Sequence, residues 1–89
     1  MYRVETVGPD VDAAVDALPP ELLAAFAELR TTFEVAPWDV GQPYVASTPF
    51  GSRTAIFGPA DRGLVLYAVN DRERVVVLWQ IVIAPDLEP

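Results

Sequence analysis

Two apolar runs around a short polar stretch dominate the second half of the chain: RGLVLYAVNDRERVVVLWQ, from Arg62 to Gln80, continuing as IVI to Ile83. β-Branched and aromatic residues crowd both runs, and such runs bounded by Gly and by Asn-Asp read as strands. The first strand is expected over Gly63–Val69, the turn at NDRE and the second strand over Arg74–Ile83. Four-residue hairpin loops are usually built around a type I turn, which Asn and Asp favour. With Val69 opposite Arg74, Tyr67 pairs with Val76, Val65 with Leu78 and Gly63 with Gln80. Side chains alternate along strands, so this register sorts the hairpin into two faces. One face carries Leu64, Leu66, Ala68, Val75, Val77, Trp79 and Ile81; the other carries Val65, Tyr67, Val69, Arg74, Val76, Leu78 and Gln80. The wholly apolar first face is expected to lie under the rest of the fold. Either assignment leaves exposed apolar surface, which predicts a protein partner or a homodimer docked on the sheet.

The first half of the chain supplies the covering layer. YRVETV, Tyr2–Val7, is rich in β-branched residues and reads as a strand, broken by GPD. Asp10 or Asp12 is expected to cap a short helix through about Leu18, with Val11, Val15 and Leu18 on one side. Pro19 and Pro20 end that helix and open the next, because proline suits a first turn and not an interior. In the second helix, to about Phe33, Leu22, Phe26, Leu29 and Phe33 form one apolar stripe, widened by Leu23 and Ala25. With almost no linker, the two helices should form a helical hairpin. Glu34–Ser52 reads as a long irregular connection, tacked down by Trp38, Tyr44 and Phe50. RTAIFG, Arg53–Gly58, is a further short strand, and the tail APDLEP is expected to fray. The order is β-α-α-β-β-β in one domain, 1–89: an α+β fold with an antiparallel sheet and a helical hairpin on one face.

Composition removes much familiar chemistry. The chain has no cysteine and no histidine, so disulfides, thiolate metal sites and a histidine general base are excluded. No cofactor or metal is expected. Thirteen acidic residues face six basic ones, all arginine, for a net charge of −7. That balance opposes non-specific binding to DNA or RNA, which needs a basic surface. The start, MYRVETVG, is short, polar and alternating, unlike a secretion signal, and no apolar run approaches the ~20 residues that cross a bilayer. A soluble, cytoplasmic protein is the expectation.

Several stretches together resemble the RelE/ParE superfamily of toxins from bacterial type II toxin–antitoxin modules. They are the LP at Leu18–Pro19, the PW…G…PY pattern through Pro37, Trp38, Gly41, Pro43 and Tyr44, RTAIFGP from Arg53, and LVLYAVNDRERVVVL from Leu64. The resemblance runs from Tyr2 to about Ile83 and is strongest to short variants from high-GC bacteria. It implies an antitoxin partner. For RelE-type members it further implies cleavage of ribosome-bound mRNA, with basic side chains stabilising charge on the phosphate while another group moves the proton. Carried over, the site reduces to Arg53 and Arg62, with Tyr67 and Arg74 as further members. The strand position where relatives carry an arginine holds Leu64, and the last strand ends in IVIAPDLEP with no base. The resemblance therefore leaves two functions open. One is an mRNA endoribonuclease with an incomplete basic site. The other is a non-catalytic binding module, degenerate or ParE-like, acting through a protein partner. Arg72 and Arg74 read equally well as edge charges that discourage strand addition.

Overall fold

The computed structural model describes residues 1–43 and 52–84. The expected roles of Tyr44, Phe50 and the tail from Pro85 lie outside the described residues. In chain order the elements are β1 (Arg3–Thr6), α1 (Pro9–Asp16), α2 (Pro20–Val35), β2 (Gln42–Pro43), β3 (Arg53–Phe57), β4 (Gly63–Asn70) and β5 (Val75–Ile83). The sheet order is β1-β5-β4-β3-β2. β3, β4 and β5 form the expected antiparallel meander, and both helices sit on one face of an α+β fold. Two details go beyond the sequence reading. β1 pairs in parallel with β5, so the sheet is mixed, and Gln42–Pro43 adds a two-residue strand against Arg53 and Thr54.

Both helices begin on proline, whose missing N–H costs nothing in a first turn. α1 is not capped by Asp10 or Asp12: the N-cap is Gly8, without a side-chain hydrogen bond. Asp10 and Asp12 lie in the first turn instead, where carboxylates favour the positive end of the helix dipole. α2 buries Leu22, Phe26 and Phe33, with Leu29 partly covered, so the expected stripe faces the sheet. Leu23, expected to widen it, is 44% exposed. Beneath the helices lie Ala55, Phe57, Val65, Tyr67, Val76 and Leu78. Phe26 packs tilted on Phe57 with ring centroids 5.4 Å apart, and Phe33 on Tyr67 at 4.5 Å. Gly63 lies opposite Phe57, whose ring fills the space a side chain would need.

The hairpin register corrects the sequence reading. Asn70 pairs with Val75, so the loop is Asp71–Arg74, one residue later than expected. Asn70 Oδ1 accepts the Glu73 amide at 3.0 Å, and Arg74 sits at φ 56, a left-handed conformation that no paired strand residue adopts. Tyr67 therefore faces Leu78, not Val76. A bulge between Leu66 and Tyr67 then shifts the pairing again, so that Leu66 meets Gln80 and Val65 meets Ile81. Before the bulge Val76 and Leu78 point into the core; after it Ile81 and Ile83 do, and Gln80 is exposed. The covered face is thus the one carrying Val65, Tyr67, Val76 and Leu78, opposite to expectation. It wins because its branched and aromatic side chains interlock with the α2 stripe. The open face shows a cross-strand row of Ile56, Leu64 and Val82, with Ile56 55% and Val82 40% exposed.

Neighbouring residues on α2 test this packing. Leu22→Ala removes a fully buried side chain and is expected to cost about 2–5 kcal/mol in urea unfolding. Leu23→Ala is expected to stay within about 0.5 kcal/mol.

Candidate functional site

The candidates divide between two ends of the sheet. Arg53, at the start of β3, lies opposite Tyr67 on β4. Its Nη2 donates to the Val40 carbonyl at 2.9 Å and its Nε to the Tyr67 hydroxyl at 3.3 Å. The guanidinium lies over the Trp38 ring, 5.1 Å from its centroid. Trp38 Nε1 donates in turn to Asp71 Oδ1 at 2.8 Å, and the Tyr2 hydroxyl donates to the same oxygen at 2.6 Å. The Arg74 guanidinium covers the Tyr2 ring at 5.2 Å. A continuous chain of contacts therefore runs Tyr67–Arg53–Trp38–Asp71–Tyr2–Arg74, alternating cations, aromatic rings and one carboxylate.

Arg62 stands apart, beyond the other end of β4. Its Nε donates to the Ala84 carbonyl at 3.3 Å, and its Nη1 lies 4.0 Å from Glu21 Oε1. Tyr67 is fully buried against Phe33, its hydroxyl shared between the carbonyls of Val40 and Pro37. It faces the helices, away from the open side of the sheet. Tyr2, Trp38 and Asp71 join the cluster without having been picked out as site residues. The Tyr2–Asp71 contact spans 69 positions, and no local pattern marks it.

Charge in the cluster is tuned by these bonds. Hydrogen bonds from Tyr2 first and Trp38 second hold the Asp71 carboxyl below the usual carboxylate range, with the Arg74 charge adding to them. The same bond, aided by some desolvation, pushes the Tyr2 hydroxyl above the ordinary phenol value against the opposing pull of Arg74. Asp71 is thus a bond acceptor and a poor general base near neutrality.

The open sheet face differs in kind. Register places Thr54, Ile56, Leu64, Leu66, Ala68, Val77, Gln80 and Val82 on it. On β1 the register continues this face with Arg3 beside Val75 and Glu5 beside Val77, whereas the other five arginines lie outside its rows. Arg3 Nε lies 3.7 Å from Glu5 Oε2, and both side chains are exposed at this edge. Among the described residues no group of three or more Asp or Glu could hold a metal ion, and no helix is long and apolar enough to cross a membrane.

No protein-family model and no curated protein matches the chain. Solved structures do. A chain of the RelBE2 toxin–antitoxin complex from Mycobacterium tuberculosis is 26% identical, with a TM-score of 0.70, over 92% of this chain and 96% of that one. A chain of the archaeal RelE–RelB complex from Pyrococcus horikoshii OT3 is 19% identical, with a TM-score of 0.64, over 92% and 93%.

The Asp71 bonds set a pH dependence at both extremes. Because its folded pKa is lowered, the Asp71 contribution is complete above the unfolded value and is lost as pH falls through the folded one. Because that of Tyr2 is raised, its contribution is complete below the unfolded value and is lost as pH rises through the folded one. The Trp38 indole N–H resonance is expected to shift on acidification with a midpoint below the ordinary carboxylate value. Asp71→Asn is expected to remove that step; a midpoint at the ordinary value would contradict the bonding described.

Proposed function

We propose that this chain, which has the RelE-like toxin fold, is the toxin-side member of a toxin–antitoxin pair. In this reading it is held by an antitoxin in the cytoplasm and acts through protein contacts rather than by cutting RNA. The observation that carries the reading is the apolar cross-strand row of Ile56, Leu64 and Val82 on the open sheet face, whose one arginine among the described residues, Arg3, stands at the β1 edge beside Glu5. Phosphodiester cleavage needs cations where charge develops and a group that moves the proton. Arg53 is instead committed to Val40 and Tyr67, and Tyr67 to the loop carbonyls. An apolar strip whose edge arginine is neighboured by Glu5, on a chain of net charge −7, favours a protein ligand over a polyanion.

A second reading, ribosome-dependent mRNA cleavage, is favoured by one feature: two guanidiniums stacked on the rings of Trp38 and Tyr2 at one end of the sheet. In that reading Arg74 and Arg53 hold the backbone and Trp38, 46% exposed, meets a base.

Expression in a bacterial host without antitoxin, with mapping of mRNA 5′ ends, separates the two. The first reading expects growth arrest without codon-periodic cuts, and a monomer or homodimer that captures the antitoxin encoded beside it. Ile56→Glu with Val82→Glu should weaken that capture at least tenfold while leaving the fold intact. Codon-periodic cuts that vanish in Arg74→Ala would overturn it in favour of the nuclease.

A further inference from the structure

Arg53 is half-buried, yet no carboxylate pairs with it. Its Nε donates to the Tyr67 hydroxyl and its Nη2 to the Val40 carbonyl, and among the described residues nothing accepts from its Nη1. Among the described residues the ion pairs are Arg3–Glu5 and Arg62–Glu21, so the Arg53 charge is met only by neutral oxygens and a ring. A guanidinium never gives up its charge, and a planar fork with an unused N–H is suited to an oxyanion. The Trp38 ring, 5.1 Å from the guanidinium carbon, stands where such an anion would approach its face.

The ring is held there by more than stacking. Trp38 Nε1 donates to Asp71 Oδ1 at 2.8 Å, and the Tyr2 hydroxyl donates to the same oxygen at 2.6 Å. Asp71 opens the hairpin loop, so the turn between β4 and β5 holds the indole over Arg53. Trp38 is itself exposed, whereas Phe33 and Tyr67 pack on each other beneath. The ring can therefore turn outward without opening the core.

We propose that Trp38 is an autoinhibitory cover on Arg53, latched by Asp71. With the ring in place, the face of the guanidinium is closed to anions. With the Asp71 bond broken and the ring turned out, Arg53 offers that face and its Nη1 to a phosphate-like oxyanion. Asp71 is a positioning residue, since it acts on Arg53 only through Trp38. This device goes beyond the proposed function: it concerns access to one cation, whichever partner the chain acts through.

The probe is inorganic pyrophosphate, titrated into the full chain and followed by the Arg53 Nε–H and Trp38 indole N–H resonances. Trp38→Ala, which changes no charge, and Asp71→Ala, which breaks the latch, are each expected to bind it at least fivefold more tightly than the native chain. The Arg53 resonance should shift in both. Adding Arg53→Gln to either variant should abolish the gain. Glu73→Ala removes a carboxylate from the same loop without touching Trp38, and is expected to stay within twofold of native. Far-UV circular dichroism checks each fold; Trp38 and Asp71 are exposed, so both are expected to retain it. Unchanged affinity in Trp38→Ala or in Asp71→Ala, an equal gain in Glu73→Ala, or a gain that survives Arg53→Gln would each overturn the proposal. Codon-periodic RNA cleavage would sink the proposed function and leave the pyrophosphate comparison to judge the cover.

Discussion

The Tyr67 hydroxyl is the point on which the layers of this structure meet. Tyr67 sits on the central strand β4, buried under Phe33 of α2. A phenol in that position needs a partner for its hydroxyl, since a buried unpaired donor costs roughly 1–3 kcal/mol. It finds the carbonyls of Val40 and Pro37, in the segment that leaves α2. The bond thereby turns the chain back toward the sheet edge, where Gln42–Pro43 can pair with β3. Gly41, at φ 69, supplies the left-handed turn, and its bare Cα lets the Tyr67 hydroxyl and the Thr54 carbonyl approach. Arg53 then donates into the same group of oxygens. One tyrosine thus links helix, loop and two strands, its ring on Phe33 and its hydroxyl on the rest.

That arrangement gives Arg53 and Tyr67, picked out in the sequence as site residues, partners within the fold. A tyrosine beside an arginine on adjacent strands is what a phosphate site would require. Here the arginine caps loop carbonyls and stacks on Trp38, and that ring passes the connection on to Asp71. The Asp71 carboxylate gathers the N-terminal strand and the loop after α2 at the hairpin turn. Two of six cations, Arg53 and Arg74, are spent on aromatic rings in this way.

Much of the fold was legible because it follows from periodicity. The α2 stripe, the proline boundaries and the three-strand meander depend on neighbours a few residues apart, and these emerged with their ends displaced by only a residue or two. The face of the hairpin did not. It turns on the left-handed Arg74 and on the bulge beside Tyr67, and a one-residue slip moves every side chain to the other side. Nothing in VVVLWQIVI marks Trp79 as the extra residue. The parallel pairing of β1 with β5 joins opposite ends of the chain, so no local pattern announces it. The site suffered for the same reason: Tyr2, Trp38 and Asp71 meet only after the sheet has closed.

The corrected register also changes what the surface can do. Had the face with Leu64 and Trp79 been covered, Tyr67, Arg74 and Gln80 would have looked outward, a mixed polar surface that an RNA backbone could meet. With Val65, Tyr67, Val76 and Leu78 under the helices, the bulge brings Gln80 and Val82 to the open side beside Leu66 and Leu64. That side offers mostly apolar rows, with Thr54 and Gln80 among them and Arg3 and Glu5 at the β1 edge, and the acidic helix α1 lies on the other. Arg53, Arg62 and Arg74 are each engaged within the fold, by carbonyls, a carboxylate or an aromatic ring. What the sheet leaves uncovered is the apolar row of Ile56, Leu64 and Val82, a surface suited to a folded or folding polypeptide.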